Sequence, residues 1–344
     1  MKINRIKLED FLAFKGSISV DFCDGINVLI GANATGKSTL LKCIYAPCED
    51  SNIIHRIDEF RDQRKQISLD EMVQSDRFVF RPRNRFDLLF QNKVDNGYVE
   101  VASGEHIFRC SVMSGRMNDT SDDKWYELDI QSVFIPTTEM LSHSKGLIAM
   151  ASKHNLPFDQ VQLDILNNAQ LWETKEITER NETILTMLGD TIEGEVLYEN
   201  DTFYIVKSSG LKVEFSFEAS GYKKLGLLWI LIRNGLLEKD SILLWDEPEN
   251  SLHPELLPLL VDVLYMLQED GVQVFIATHS YTLAKYIDLK KKNADDARFI
   301  SLYKDGEIIK ASVANRYSGL DNNAIERAEE ELYDAVVKKV TGDK

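Results

Sequence analysis

Residues 31–38 have the types and the spacing that can hold a chain of phosphates. Their sequence, GANATGKS, fits the pattern G-x-x-x-x-G-K-[ST]. A strand-like run precedes them at 26–30, and residues 38–45 are typical of the first turns of a helix. Glycine lets a backbone wrap an anion without a Cβ clash, and the start of a helix favours negative charge. The stretch therefore predicts a site for a nucleoside triphosphate with Mg²⁺, in which Lys37 reaches the outer phosphates and the Ser38 hydroxyl holds the metal.

A pair of carboxylates and a histidine follow two apolar runs further along the chain. Asp246 and Glu247 end the run ILLWDE, and His279 follows the run FIAT. Ligands of open α/β sheets bind at the carboxyl ends of the strands. We therefore expect Asp246 to position Mg²⁺ and Glu247 to orient or deprotonate an attacking water. His279 is expected beside the same phosphates, where it would sense the γ-phosphate or polarise the water.

A fourth polar element, Ser220-Gly221, precedes Asp246 by 26 residues and lies at the predicted start of a helix. Serine is a frequent N-cap residue, and a helix start can bind an anion. Because serine also caps many helices that bind nothing, the meaning of this pair depends on its place relative to the other three elements.

Composition bounds the class of protein. The chain has 344 residues, enough for about two domains or one large one. Its net charge of −16 argues against a broad, non-specific nucleic-acid surface, although a local basic groove stays compatible with it. The four cysteines form no zinc-site pattern, which favours reduced thiols in a cytosolic protein. The N-terminus shows no signal peptide and no apolar run could span a bilayer, so we expect a cytoplasmic protein without membrane contact.

Hydrophobic patterning predicts the elements that position these residues. Alternation predicts strands within 2–30, and residues 78–135 are expected to be rich in antiparallel strands. A strand–helix–strand rhythm over 241–277 predicts a parallel sheet. The remaining predicted elements are helices at 143–154, 158–171 and 176–189, strands within 193–217, a helix from about Ser220, a helix at 254–269 between buried strands at 241–246 and 272–277, strands near 298–310, and a final helix at 323–340.

The final predicted helix carries an apolar stripe on one face. A stripe of this kind most often packs against the protein's own core, which is the expectation here, and the alternative is a surface for a partner. Its members are Ile325, Ala328, Leu332, Val336 and Val340.

Two basic clusters interrupt the acidic composition. One comprises Arg77, Arg81, Arg83 and Arg85 and is interleaved with Phe78 and Phe80, and the other is the run Lys290, Lys291 and Lys292. We expect such charges to form ion pairs on the surface of an acidic protein. A grip on phosphates or single strands, or a surface for a partner protein, is also compatible with them.

The four polar elements, in this order, resemble those of the ABC-type ATPases. Within that group the chain resembles the SMC- and RecF-like branch, and it is most similar to bacterial ATP-binding proteins related to the OLD (overcoming-lysogenisation-defect) ATPases. Three stretches carry the resemblance over most of the chain: DEPENSLHP at 246–254, FIPTTEML at 134–141 and LEDFLAF at 8–14.

The resemblance implies a single α/β P-loop ABC ATPase head with a mixed or parallel core sheet, an antiparallel β subdomain and a short helical insertion. The implied parts are an N-terminal lobe at 1–141, a helical insertion at 142–192, a C-terminal lobe at 193–289, and C-terminal strands and a helix at 290–344.

The resemblance also implies that Ser220 and Gly221 contact the γ-phosphate of a second subunit, so that a head-to-tail homodimer encloses two ATPs. Ser251, Leu252 and His253 would then form the loop that couples the two sites. The implied nucleotide-binding residues are Gly31, Asn33, Ala34, Thr35, Gly36, Lys37, Ser38, Thr39, Ser220 and Gly221. Catalysis would use Glu247, His279 and Lys37, and Mg²⁺ would use Ser38 and Asp246.

The chain departs from this pattern in two places. Tyr222 and Lys223 stand where the transporter signature ends in Gly-Gln. Residues 134–141 offer no glutamine for the metal, and Thr137, Thr138 or Glu139 could serve instead.

OLD nucleases continue into a TOPRIM domain, and the residues after His279 contain no acidic arrangement of that kind. We therefore expect an ATPase that is not a nuclease on its own. The expected role is the ATPase subunit of a bacterial anti-phage defence or DNA-maintenance system with a separate effector. Three different roles stay open: a DNA-clamping repair ATPase, in which nucleic acid is bound directly, an ATP-gated scaffold that controls a toxin partner and, less well matched, a transporter ATPase.

Overall fold

The computed structural model describes residues 1–61, 97–113, 116–154, 156 and 158–342. The strands are β1 Arg5–Phe11, β2 Phe14–Asp21, β3 Ile26–Gly31, β4 Tyr98–Ser103, β5 His106–Met113, β6 Arg116–Asp119, β7 Ser132–Ile135, β8 Gly194–Glu199, β9 Thr202–Lys207, β10 Lys212–Glu214, β11 Ile242–Asp246, β12 Gln273–Ala277, β13 Ala297–Asp305 and β14 Ile308–Ala314. The helices are α1 Lys37–Arg61, α2 Leu147–Lys153, α3 Gln160–Ala169, α4 Glu179–Ile192, α5 Ser220–Arg233, α6 Leu257–Glu269, α7 Tyr281–Lys290 and α8 Ala324–Thr341.

A mixed sheet with the order β14-β13-β3-β12-β11-β7 forms the centre of the described residues. The strands from β13 to β7 run parallel, and β14 joins one edge in the antiparallel direction. Strands β3, β11 and β12 are buried on both faces, as the continuous apolar runs of a covered parallel sheet require. The predicted α/β class with a mixed core sheet is thus confirmed.

Two further sheets in the described residues are antiparallel, with the orders β2-β1-β4-β5-β6 and β10-β9-β8. The predicted antiparallel part therefore exists, but the prediction is wrong for one strand. Strand β7 pairs in parallel with β11, Ile242 opposite Ser132, and belongs to the central sheet. All four of its residues are buried, so the run lacks the alternation that would mark a half-exposed antiparallel strand.

Successive side chains of the central strands enter two different cores. Val28, Leu243 and Ile276 face the core that α3 to α7 cover, whereas Leu29 and Leu244 face the core formed with α1 and the larger antiparallel sheet. Both faces of the central sheet are therefore covered and shielded from water. Polar side chains can gather at the ends of its strands.

The three helices expected between 143 and 189 are α2, α3 and α4, each displaced by two to four residues at its start. Their caps explain part of the shift. Asp159 forms a capping box with Gln162, and the Thr178 side chain accepts from the Asn181 N–H, so α3 and α4 begin where these side chains bind orphan N–H groups. The division of the chain into lobes stays a prediction.

The final helix predicted at 323–340 is confirmed as Ala324–Thr341, but the expected packing of its apolar stripe is wrong for most of the stripe. Its N-cap, Asn323, is buried, and Ile325 packs partly against the core. From 327 to 342 every residue is exposed, including Leu332 at 60% and Val340 at 80%. Apart from Ile325, the apolar stripe of α8 therefore does not dock on the core formed by the described residues.

The lysine run behaves as expected of surface charge. Lys290 pairs with Asp262, and the Lys292 ammonium lies 2.7 Å from a Glu269 carboxylate oxygen. The arginine cluster at 77–85 lies outside the described residues. The four cysteines are buried, and no helix in the described part of the chain is long and apolar enough to cross a membrane.

Gln273 fastens the N-terminal residues to the central sheet. Its side chain accepts from the Ile3 N–H at 2.7 Å and donates to the Ile3 and Cys23 carbonyls at 2.8 Å each, and it is fully buried. We expect Gln273→Leu to lower the free energy of unfolding by about 2–4 kcal/mol, because three buried hydrogen bonds are lost and the Ile3 N–H and carbonyl are left without the Gln273 side chain. Urea denaturation measures this. The half-buried Gln268→Leu is the control, with an expected change of about 1 kcal/mol or less, and an equal loss in both variants would contradict the assignment.

Candidate functional site

The polar residues singled out in the sequence meet at one edge of the central sheet. Strands β3, β12 and β11 are neighbours and parallel, so their carboxyl ends lie side by side. Residues 31–38 follow β3, Asp246 ends β11 and Glu247 follows it, and His279 follows β12. This is the edge at which open α/β sheets bind ligands.

The loop at 31–38 needs its glycines for steric reasons. Gly31 has φ +152°, and a Cβ there would lie 2.3 Å from the Leu302 carbonyl oxygen. Gly36 has φ +85°, and a Cβ there would lie 2.6 Å from the Phe14 ring. The Thr35 hydroxyl donates to the Ala32 carbonyl at 2.9 Å and closes the turn. The structure thus fixes a loop conformation that side chains at either glycine would prevent.

The start of α1 leaves this loop suited to an anion. The helix begins at Lys37 and has no acidic residue in its first turn, so nothing opposes the positive end of its dipole. Asn33, Ala34 and Ser38 are exposed, Thr39 is half-buried, and Ala34 adopts a left-handed backbone with φ 59°. A phosphate chain can therefore reach the loop and the N–H groups at the helix start.

Lys37 is buried beneath the loop. Its ammonium donates to the Gly31 carbonyl at 2.9 Å and to the Ala32 carbonyl at 3.1 Å. Burial lowers the pKa of Lys37, and the carboxylates of Asp246 and Glu247 oppose that shift. The lysine is consequently held at the loop by hydrogen bonds that phosphate oxygens could replace.

Glu247 stands in a constrained backbone position. Its φ is 51°, a left-handed conformation that costs a residue with a side chain about 1 kcal/mol. Its N–H donates to the Ala277 carbonyl at 2.8 Å, and its carbonyl accepts from the Lys224 ammonium at 2.9 Å. Because the N–H and the carbonyl of Glu247 are both hydrogen-bonded, the neighbouring strand and helix fix the direction in which its side chain projects.

His279 lies beside that carboxylate. Its Nε2 is 3.7 Å from Glu247 Oε1, and the side chains of both residues are about one-third exposed. Burial lowers the pKa of His279, the Lys37 cation lowers it further, and the nearby carboxylates oppose this. A neutral imidazole is therefore favoured at neutral pH, and it can accept or donate a proton at a reacting water or phosphate.

The donor set fits Mg²⁺ with few protein ligands. Asp246 is 9% exposed at the end of β11, and the Ser38 hydroxyl is exposed at the start of α1. Among the described residues, no group of three His, Cys, Asp or Glu side chains could hold a metal alone. Mg²⁺ takes oxygen ligands and usually completes its shell with waters and substrate phosphates, which agrees with two oxygen donors beside a phosphate loop.

Sequence reasoning gives no role to Glu249. Its Oε1 accepts from the Thr278 hydroxyl at 2.6 Å and from the His279 N–H at 2.9 Å, and its Oε2 is buried without a partner in the described structure. Glu249 thus fixes the backbone that presents His279. Its place two residues after Glu247 is a visible signal, because a carboxylate so close to the strand end remains at the same edge.

Sequence reasoning also gives no role to Lys224. Its side chain is 9% exposed and ties α5 to the turn at Glu247. Burial lowers its pKa to about 8, and Glu249, Glu247 and Asp246 limit the fall. The signal is its position one helical turn after Ser220, which places both residues on one side of α5.

Ser220 is not an N-cap as predicted. It is the first residue inside α5, the cap position is Ala219, and Ala219 has no side chain able to cap. No hydrogen bond or ion pair in the described residues joins Ser220 or Gly221 to the loop at 31–38. A Cβ on Gly221 would lie 3.4 Å from the Ser251 carbonyl, an ordinary contact, so the fold of its own chain does not require glycine there.

The segment after β7 lies at the same edge, because β7 is the neighbour of β11. Glu139 accepts from the Ser142 N–H at 3.0 Å, Thr137 is half-buried and Thr138 is exposed. A metal role for any of the three stays a prediction.

Two family models of ATPases match parts of the chain. Residues 1–73 match an AAA ATPase domain, and residues 136–285 match a family described as an AAA domain, putative AbiEii toxin, type IV TA system.

Individual proteins match over shorter stretches. The chain is 56% identical over 45 residues to the DNA replication and repair protein RecF of Oenococcus oeni, and the matched stretch covers 13% of this chain and 12% of RecF. It is 30% identical over 73 residues to the arginine transport ATP-binding protein ArtP of Haemophilus influenzae, covering 21% and 30%. The chain thus spans less than a third of the length of these two curated relatives.

Solved structures extend the likeness to most of the chain. The SMC head domain from Thermotoga maritima is 15% identical, with a TM-score of 0.51, over 91% of this chain and 99% of that one. The SMC head bound to the C-terminal winged-helix domain of ScpA is 13% identical, with a TM-score of 0.54, over 91% and 98%. The fold is therefore that of an SMC head, and both matched family models are described as AAA domains, one of them as an ATPase.

Lys224 generates a testable expectation. Lys224→Met keeps the length and the apolar stem but removes one donor to the Glu247 carbonyl and leaves the Asn250 N–H as the other. We expect ATP turnover to fall about 10- to 100-fold, because the carboxylate loses its position, while nucleotide binding changes only a few-fold. Steady-state turnover and equilibrium binding of a fluorescent nucleotide measure the two effects. Lys239→Met, at an exposed lysine before β11, is the control and should match the unmodified protein.

The dependence of turnover on pH distinguishes the effect of the Lys224 charge from the effect of its packing. The Lys224 pKa of about 8 lies below the ordinary lysine value of 10.5, so its positive charge is lost as pH rises through about 8. Turnover should decline in that range, and Lys224→Arg should move the decline to higher pH because a guanidinium does not titrate there. An unchanged profile in Lys224→Arg would show that another group controls the decline.

Proposed function

We propose that this chain binds ATP with Mg²⁺ at residues 31–38 and hydrolyses it. The observation that supports this most is the gathering of Lys37, Asp246, Glu247 and His279 at the carboxyl ends of three adjacent strands. The SMC-like head fold and the ATPase family models support the same reaction.

Each side chain has a role in this proposal. Lys37 exchanges its bonds to the loop carbonyls for outer phosphate oxygens and stabilises the charge that develops on them. Glu247 orients or deprotonates the attacking water, and His279 polarises that water or contacts the γ-phosphate. Ser38 and Asp246 would hold Mg²⁺, which when bound neutralises charge on the phosphates.

We further propose that two copies close head to tail around two ATPs, with Ser220 and Gly221 of each reaching the nucleotide of the other. Two features support this. Ser220 is exposed at the start of α5, and Gly221 is a glycine that its own chain does not require. A glycine without an internal reason is expected where another molecule approaches the backbone closely.

The proposed cellular role is the ATPase subunit of a bacterial anti-phage defence or DNA-maintenance system, located in the cytoplasm and acting with a separate effector. The relation to OLD-type ATPases without a TOPRIM domain belongs to this proposal. The ScpA domain bound to an SMC head supports the idea that heads of this fold work with partner proteins.

An ATP-gated scaffold that controls a toxin is the second candidate. The family matching 136–285 is described as a putative AbiEii toxin of a type IV TA system, which favours the scaffold over a DNA clamp. A DNA-clamping ATPase is the third candidate, supported by the RecF match but opposed by the net charge of −16. Turnover that rises on adding DNA, with a steep salt dependence, would favour the clamp.

Glu247→Gln tests the catalytic assignment. The amide keeps the size of the side chain but cannot take a proton from water, so we expect turnover to fall about 10²- to 10⁴-fold while ATP still binds. Phosphate release and equilibrium nucleotide binding measure the two effects. Glu195→Gln, an exposed carboxylate on β8, should have no effect. Turnover above a tenth of normal in Glu247→Gln would remove Glu247 from the mechanism.

Mixing two inactive variants tests the head-to-tail dimer. Lys37→Ala damages the loop at 31–38, and Ser220→Arg places a bulky side chain at the exposed start of α5. If each site combines the loop of one copy with Ser220 of the other, a mixed dimer has one intact site. An equal mixture should then recover about a quarter of normal turnover, since half of random dimers are mixed.

The control mixes Lys37→Ala with Glu247→Gln. Both changes damage the same half of a site, so the mixed dimer has no intact site and no recovery is expected. If the first mixture is no more active than its components, the shared-site model is wrong, even where Glu247 retains its role.

A further inference from the structure

Helix α8 makes few contacts with the body of its own chain. Asn323 caps it by accepting from the Ile325 and Glu326 N–H groups, and Glu326 lies 3.9 Å from the Lys285 ammonium on α7. Beyond this first turn, all residues from 327 to 342 are exposed. An isolated helix of this length is marginal in water, because most helical stability in proteins comes from packing of one face. In the described part of the chain, the helix therefore lacks the contact that would stabilise its outer turns.

The exposed part carries an apolar face rather than a polar one. Leu332, Val336 and Val340 follow one another at intervals of four residues and are 60%, 52% and 80% exposed. Tyr333 lies beside them and is 70% exposed. Large apolar side chains gathered on one exposed face, with charges around them, mark an interaction surface.

The charges around this face are divided along the helix. Its first half is acidic, with Glu329, Glu330, Glu331 and Asp334, and its last turns are basic, with Lys338 and Lys339. A partner that complements this pattern must be basic where α8 is acidic and acidic where α8 is basic. A second α8 running in the opposite direction has that pattern.

We propose that α8 pairs with α8 of a second copy of this chain in an antiparallel, two-fold arrangement centred near Ala335. Leu332 and Val336 of the two helices form its apolar centre. Glu329 of each helix lies opposite Lys339 of the other, because both positions border the stripe of Leu332 and Val336, and the helix dipoles oppose one another. A parallel pair would instead set the acidic halves side by side.

This contact is separate from the proposed ATP-dependent contact and does not need nucleotide. A single pair of helices buries less than the 1,200–2,000 Å² that is typical of stable interfaces, so the association is concentration-dependent. The test therefore uses the full chain without nucleotide and with a chelator, over a concentration series, so that failure of the ATP-dependent dimer does not affect the result.

Sedimentation of the unmodified chain should show a reversible monomer–dimer equilibrium, and the double variant Leu332→Glu with Val336→Glu should shift it at least tenfold toward monomer. Both positions are exposed, so the substitutions leave the core intact, and an unchanged thermal melt confirms this. A monomer at every concentration in the unmodified chain would overturn the proposal, as would a dimer that the double variant does not weaken.

Charge exchange tests the antiparallel direction. One variant carries Lys339→Glu, and the other carries Glu329→Lys. Each alone should dimerise more weakly than the unmodified chain, whereas an equal mixture should restore dimers, because the acidic helix then faces the basic one. If the mixture dimerises no better than the single variants, the antiparallel pairing is wrong.

Cysteine cross-linking tests the position of the contact. The four native cysteines are buried and do not compete. Val336→Cys should give a disulfide-linked dimer on mild oxidation, because the two side chains meet near the two-fold axis. Arg327→Cys lies on the opposite side of the helix and far from its centre, and should remain monomeric under denaturing, non-reducing conditions. Equal cross-linking at both positions would indicate random collision and overturn the proposed geometry.

Discussion

The parallel register of β3, β12 and β11 is the constraint on which the site depends. Leu29 pairs with Ala277, and Ala277 pairs with Asp246, so three segments that are distant in sequence end at the same level. A slip of one residue would turn Asp246 toward the other face of the sheet and move the Glu247 N–H away from the Ala277 carbonyl. The continuous burial of these strands fixes the register, so the apolar core determines the geometry of the polar edge.

Burial also makes the charges at this edge interdependent. Two ammonium groups, Lys37 and Lys224, stand among the carboxylates of Asp246, Glu247 and Glu249, and burial lowers the pKa of both lysines. With His279 neutral, the cluster carries a net negative charge, which by itself repels a triphosphate. A divalent cation reverses that balance, because interactions between charges are strong where water is largely excluded. Under the proposed function, binding of ATP at this site would therefore depend on Mg²⁺ for electrostatic reasons as well as for chemistry.

Much of the site is predictable from the sequence because its patterns are local. The loop at 31–38, the Asp246-Glu247 pair and His279 each follow an apolar run, and the carboxyl end of a strand is a recognisable position. The roles of Lys224 and Glu249 are not predictable in this way. They depend on which side of α5 faces the site and on the conformation of the turn after β11, and no local sequence pattern specifies either. Strand β7 is wrongly predicted among the antiparallel strands because four buried residues show no alternation. The stripe on α8 correctly predicts an apolar face, but amphipathicity does not say what covers that face.

A short path connects helix α8 with the site. His279 immediately precedes Ser280, the N-cap of α7. Lys285 of α7 forms an ion pair with Glu326 in the first turn of α8. Pairing of two α8 helices would hold two heads near each other, so that closure around ATP becomes an event within one assembly and depends less on protein concentration. A weak helix contact is sufficient for this purpose, because the gain comes from effective concentration and not from the area that α8 buries. If two α8 helices stay paired, the proposed ATP-dependent contact can open after each hydrolysis while the two copies remain together. An exposed apolar stripe on α8 agrees with this arrangement.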